Sequence, residues 1–151
     1  MADGRVGNAI FGHSLKMVDG DLVVQDGGLQ EIAGQDNLLQ ALVLRILTPF
    51  GSDIFNTSYG LDIRAAFTEP HPVHIVKELI KLNLVRTLGM DPRVHDVRDI
   101  IFEDDPAYSA RHPEVSPEQV RDDRHRRSWK VDVILETAGN QTQTLTANIG
   151  V

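Results

Sequence analysis

Trp129-Lys130-Val131-Asp132-Val133-Ile134-Leu135-Glu136 is followed by Ala138-Gly139-Asn140 and then by Thr144-Leu145-Thr146-Ala147-Asn148-Ile149. Trp129, Val131, Val133 and Leu135 alternate with Lys130, Asp132, Ile134 and Glu136. Leu145, Ala147 and Ile149 alternate in the same way with Thr144, Thr146 and Asn148. Successive side chains of a strand point to opposite faces, so each run reads as a half-buried strand, with the Ala-Gly-Asn triplet as the turn between them. The second strand, 141–151, is rich in β-branched and small residues and is expected at a sheet edge, where unpaired main-chain groups can accept a partner strand.

Upstream, 94–103 reads as a further strand with a strongly apolar end at Ile100, Ile101 and Phe102. The stretch 104–128 between these strands is rich in proline and in charges of both signs, with few apolar anchors. It is expected to be a long charged loop, mobile in the isolated protein and dispensable for its fold.

Two helices precede the strands. The first is expected over 37–47 with Asp36 as its N-cap; Leu38, Leu39, Leu42, Val43, Ile46 and Leu47 fall within half its circumference, and Pro49 and Gly51 end it. The second is opened by Pro72 at its first position and stopped after Leu88 by Gly89 as a C′ glycine. His74, Lys77, Glu78 and Lys81 make its solvated stripe, opposite Val76, Leu79, Ile80 and Leu84. Between the helices, 52–63 reads as a hairpin or structured loop anchored by Phe55 and Tyr59.

Nearer the start, Asp19-Gly20 between Ser14-Leu15-Lys16-Met17-Val18 and Asp21-Leu22-Val23-Val24 is a hairpin signal, because glycine tolerates the positive φ such turns require. Gly27-Gly28 breaks that pattern, and no internal repeat is read. Residues 1–12 are expected to be a flexible lead-in. The fold class expected is α+β: two helices packed on a mostly antiparallel sheet, with an N-terminal hairpin and a C-terminal edge strand, in a single domain over 1–151.

Composition narrows the function. A formal charge of −7 over 151 residues, without a basic face, argues against nucleic-acid binding. No apolar window reaches the roughly 20 residues of a membrane span, and Met1-Ala2-Asp3-Gly4 opens nothing like a secretory signal. Cysteine is absent, which suits assembly in a reducing cytoplasm. His71 and His74 have a metal-ligand spacing, but Pro72 separates them and Lys77 and Lys81 share the stripe of His74. There is no nucleophile elbow and no phosphate-cradling glycine loop. No catalytic residue, metal or cofactor is therefore expected. Asp91-Pro92-Arg93, between helix stop and strand, reads on its own as a helix-to-strand turn with a local ion pair.

Taken together these residues resemble a family: the baseplate wedge proteins, or sheath initiators, of contractile phage tails, type VI secretion systems and extracellular contractile injection systems. The resemblance runs from Asp19-Gly20-Asp21-Leu22 through Gln35-Asp36-Asn37-Leu38-Leu39-Gln40-Ala41-Leu42 and Arg45-Ile46-Leu47-Thr48-Pro49-Phe50-Gly51. It continues with Ser58-Tyr59-Gly60 and ends at Asp91-Pro92-Arg93-Val94. Family members similarly show a helix ending in Thr-x-x-Gly, an aromatic-Gly pair, a second amphipathic helix and Glu-Pro-Arg before a strand. Here Asp91 stands for the glutamate, one methylene shorter, and Thr57 stands where proline is common.

The resemblance implies structural work without chemistry. Such a protein bridges baseplate wedge and hub or spike proteins to the first ring of sheath subunits, with the inner tube as a further candidate partner and six copies per particle. Asp91, Pro92 and Arg93 would be the wedge-binding motif, so that removing Arg93 would spare the fold. The strand Thr144, Leu145, Thr146, Ala147, Asn148 and Ile149 would pair with sheath. Assembly would take place in the cytoplasm, and the product would be part of a virion tail or tail-like particle. Two other classes stay open at this point: a small carboxylate-based hydrolase acting on cell-wall glycan, which needs a carboxyl pair in a cleft, and a free-standing adaptor domain.

Overall fold

The computed structural model describes residues 9–125 and 127–150. Its first 20 or so described residues are organised by two tight turns, Asp19-Gly20 (φ +52° and +89°) and Asp26-Gly27 (φ +52° and +78°). Successive positive φ values make turns whose twist matches that of paired strands. Strand β1 (His13–Leu15) therefore pairs at a distance with β6 (Glu31–Ala33), while β2 (Met17–Val18) folds onto β3 (Asp21–Leu22) and β4 (Val24–Gln25) onto β5 (Gly28–Leu29), all antiparallel. The expected hairpin is present, and Gly27-Gly28 begins the return of a second one instead of ending the pattern. Contrary to the sequence reading, 17–23 and 24–30 are a seven-residue repeat with Asp-Gly-x-Leu in common. The three arms meet in a closed ring of main-chain bonds: Lys16 N–H to Gln30 O (2.8 Å), Val23 N–H to Lys16 O (3.0 Å) and Gln30 N–H to Val23 O (2.9 Å).

This clover is tied to helix α1 (Gly34–Leu47) by two amide side chains. Gln40 accepts from Met17 N (2.9 Å) and donates to Leu15 O (2.9 Å), and Asn37 donates to Phe11 O (2.8 Å). Helix α1 begins three residues before the expected start; Asp36 lies in its first turn, where a carboxylate suits the helix dipole, and Ala33 is the N-cap. Of the expected lead-in, residues 1–8 lie outside the described residues, and Phe11 is a core side chain at 2% exposure.

After α1, a parallel bridge between Pro49 and Leu61 closes a loop. The loop is not a hairpin, and Phe55 is no anchor, being 93% exposed. Tyr59 does hold, with the Arg45 guanidinium 4.4 Å above its ring. Gly60 sits at φ +108°, and a Cβ there would lie 2.5 Å from Thr48 O. Gly60→Ala should therefore cost about 2–3 kcal/mol, combining a left-handed backbone with a main-chain clash. Thermal denaturation reads this as a fall in Tm of roughly 5–10 °C.

Helix α2 (Arg64–Thr68) is short and leads to α3 (Val73–Gly89). Pro72 is the N-cap of α3, and Gly89 is its last residue, followed by a right-handed C-cap at Met90, so Gly89 does not act as a C′ glycine. Ile80, Leu84, Thr87 and Leu88 are buried. The polar stripe is oriented otherwise than expected. His74 and Glu78 are exposed, but Lys77 and Lys81 lie half-buried along the core margin, the Lys77 ammonium 5.5 Å from the ring centres of both Phe102 and Trp129. Lysine stems cover apolar surface while the charge reaches a partner, here Asp104 at 2.5 Å. Val73, Ile75, Leu82 and Val85 face solvent instead.

The main sheet is antiparallel, in the order β7 (Val94–Phe102), β8 (Ser128–Thr137), β9 (Thr142–Gly150). Val131, Val133, Leu135, Leu145, Ala147 and Ile149 form one apolar core with Leu38, Leu42 and Ile46 of α1 and Ile80, Leu84 and Leu88 of α3. The fold class is α+β. The expected 104–128 loop instead carries two helices, α4 (Pro106–Arg111) and α5 (Pro117–His125), and Tyr108 of α4 is buried.

Candidate functional site

Asp91-Pro92-Arg93 forms a tight turn between α3 and β7. Asp91 Oδ1 accepts from Arg93 N (3.0 Å) and Nε (2.9 Å), and Oδ2 accepts from Nη2 (2.7 Å). The remaining guanidinium nitrogen, Nη1, donates to Phe11 O (3.1 Å), the carbonyl already met by Asn37. The pair is largely enclosed, with side-chain exposures of 27% for Arg93 and 8% for Asp91. Burial pushes the Asp91 carboxyl up, but the hydrogen bonds and charge of Arg93 outweigh it and hold the carboxyl below its ordinary range. The same bonds raise Arg93. Aspartate is thus long enough for a bidentate bond to the arginine two residues on, and the guanidinium serves the chain's own turn.

The two edges of the main sheet differ. Along β7 the register against β8 shifts twice, between Val94 and Asp96 and between Val97 and Asp99, and His95, Asp96, Arg98 and Asp99 are exposed. Bulges and charges are what protect a sheet edge from pairing. Strand β9 has neither. Its register with β8 runs unbroken from Thr142 to Gly150, and it contains no charged residue and no proline.

Two main-chain bonds fix which groups of β9 face outward. Thr137 N–H donates to Gln141 O (2.9 Å), and Glu103 N–H donates to Lys130 O (2.9 Å). Antiparallel pairs alternate between bonded and non-bonded. Even-numbered residues of β8 therefore serve β7, and odd-numbered ones serve β9. Through the register, Gln143, Leu145, Ala147 and Ile149 bond to β8, whereas Thr144, Thr146 and Asn148 turn their N–H and C=O to the free edge. Beside residues 148–150 lies a groove of about 490 Å³, lined also by Leu47, Phe50, Leu61 and Ile63. Among the described residues its one carboxylate is Asp62, short of the carboxyl pair a glycosidase requires.

The sequence reading missed a third constellation, on the face of the sheet opposite the core. Asp132, assigned to a solvated face, is at 1% exposure. Its Oδ2 lies 2.8 Å from His112 Nε2, its Oδ1 accepts from Thr146 Oγ1 (2.8 Å), and His112 Nδ1 lies 3.1 Å from Glu114. The Tyr108 ring lies against His112 with centroids 4.4 Å apart. Glu103, at 1% exposure, has no hydrogen-bond donor at either carboxyl oxygen among the described residues. Two helix-start signals were available. Ser116 and Gln119 exchange the reciprocal bonds of a capping box (3.0 and 3.3 Å), and Asp105 caps α4 ahead of Pro106 (2.8 Å to Ala107 N).

His71 lies 2.9 Å from Glu69, and among the described residues no group of three or more His, Asp or Glu could hold a metal ion. No described helix is long and apolar enough to cross a membrane. No model of a known protein family matches the chain, and no curated protein matches it.

Proposed function

We infer that the chain is a structural, non-enzymatic baseplate component of a contractile injection machine, bridging hub and wedge proteins to the first sheath ring and starting sheath assembly. The observation that carries this reading is the β9 edge: nine residues in unbroken register, uncharged, beside a groove of mixed polar and apolar lining, in a sheet whose other edge is bulged and charged. Strand addition works through main-chain bonds, with pockets taking alternate side chains of the added strand. Thr144, Thr146 and Asn148 supply the donors and acceptors, and Leu145, Ala147 and Ile149 hold the strand down from the core side. Asp91, Pro92 and Arg93 stiffen the turn from which β7 departs, and in this reading the exposed part of that turn meets the wedge.

Deleting the gene should yield baseplates carrying inner tube but no sheath, and complementation should restore both sheath and this chain, at six copies per particle. Electron microscopy and quantitative mass spectrometry of purified particles read both outcomes. Full-length sheath in the deletion strain would overturn the proposal.

A further inference from the structure

The segment 104–125 is fastened to the outer face of the sheet by groups that titrate. From the segment itself come Asp104, Tyr108, His112, Glu114 and Asp123; from β8 come Lys130 and Asp132; Glu103 follows the end of β7; from α3 comes Lys77. Strand β9 faces the cluster with the uncharged Thr146. The contacts are ionic at three points: His112 between Asp132 (2.8 Å) and Glu114 (3.1 Å), Lys130 on Asp123 (2.9 Å), and Lys77 on Asp104 (2.5 Å). The apolar component is small. Ile101 and Tyr108 are buried there, apart from the main core cluster.

We propose that 104–125 is a pH-gated strap, closed on the sheet while His112 carries its proton and Glu103 is neutral, and lifting as both protons are lost. With the protons in place, the cations of His112 and Lys130 nearly balance Asp132, Glu114 and Asp123. Without them, Lys130 faces four carboxylates around a buried tyrosine, and one of these, Glu103, has no donor at either oxygen among the described residues. Uncompensated charge at buried Asp132 and Glu103 is costly, and a short strap is the element free to relieve it by moving away.

The directions of titration agree. Hydrogen bonding to Asp132 raises His112 above its ordinary value; burial opposes the rise, and the bond to Glu114 adds to it. Burial, then the charge of Asp123, raises Glu103, outweighing the opposing pull of the Lys130 main chain and ammonium. Burial and the surrounding carboxylates push Tyr108 up to about 12. Both raised groups work in one sense: their stabilisation is full below the ordinary glutamate and imidazole ranges and is lost as pH rises through the raised values. Opening would bare Ile101, Asp132 and the Thr146 side of β9.

Hydrogen exchange on the intact chain, corrected for the intrinsic pH dependence of exchange, tests this between about pH 4 and about pH 9, from the ordinary glutamate range to beyond the imidazole range. Protection of amides in 106–125 should fall by about tenfold or more over this range, while that of 131–135 in β8 holds. Glu103→Gln, neutral at every pH, should keep the strap protected to higher pH than in the unaltered chain, and His112→Gln should loosen it already at the acid end. Protection in 106–125 that is independent of pH would overturn the proposal. So would a loss in step with β8, or a Glu103→Gln profile identical to that of the unaltered chain.

Discussion

Thr144→Pro should leave the domain folded and abolish sheath assembly. Thr146→Pro should do the same from a less stable domain, because it also removes the hydroxyl that donates to buried Asp132. Proline removes the main-chain donor and puts its ring where that N–H stood. At 144 and 146 the donor points to the free edge of β9, so the β8–β9 ladder keeps all its bonds. Edge positions tolerate proline for this reason. One lost bond is worth about 0.5–1.5 kcal/mol. If six copies must template one sheath ring together, that loss is multiplied roughly six-fold, before the clash of the ring with an incoming strand is counted. Productive initiation should therefore fall by well over about tenfold. Ala147→Pro is the control: its N–H bonds to β8, so it should lower domain stability by about 3 kcal/mol whatever the partner. Melting curves and particle micrographs separate the two effects. A folded Thr146→Pro chain that still nucleates full-length sheath would remove strand addition at β9 as the function.

The strands were legible because period-two alternation survives any packing on one face. Trp129, Val131, Val133 and Leu135 had to be buried together, and so did Leu145, Ala147 and Ile149. What alternation does not say is whether the second face is covered. Asp132 and Glu103 lie on that face and are as buried as core leucines, because α4 and α5 lie over them. Those helices contain so little apolar surface that composition reads them as loop; their evidence is in the caps at Asp105 and Ser116. Helix α3 shows a different limit. A polar stripe at i, i+3, i+4 and i+7 looks solvated, yet Lys77 reaches across the core margin to Asp104, and Leu82 is left outside at 64% exposure. Side chains with long apolar stems obey periodicity only loosely. The direction of the β9 donors is invisible in sequence, since it depends on which pair of the ladder is bonded.

Arg93→Ala should cost the isolated domain about 3 kcal/mol, which melting would show as a fall of roughly 6–12 °C. The substitution strands Asp91, at 6% exposure, without its bidentate partner, and withdraws one of the two donors on Phe11 O. Asp91→Ala should cost less, because the more exposed guanidinium can turn toward water. Removing both should cost less than removing Arg93 alone, which a double-mutant cycle reports as coupling. The effect also carries a pH signature. With Arg93 present the Asp91 carboxyl is held below its ordinary range, so the pair's contribution is full above the unfolded aspartate pKa and fades as pH falls through the depressed folded value. Without Arg93, burial is opposed by the weaker charge of Arg45 and raises that carboxyl, so acid now relieves the folded state. The gap in Tm between the two chains should therefore narrow from about pH 7 to about pH 4. A variant with unchanged stability that fails to enter baseplates would make Arg93 an interface residue after all. A gap in Tm that stays constant across that range would show that the ion pair is not what the substitution removes.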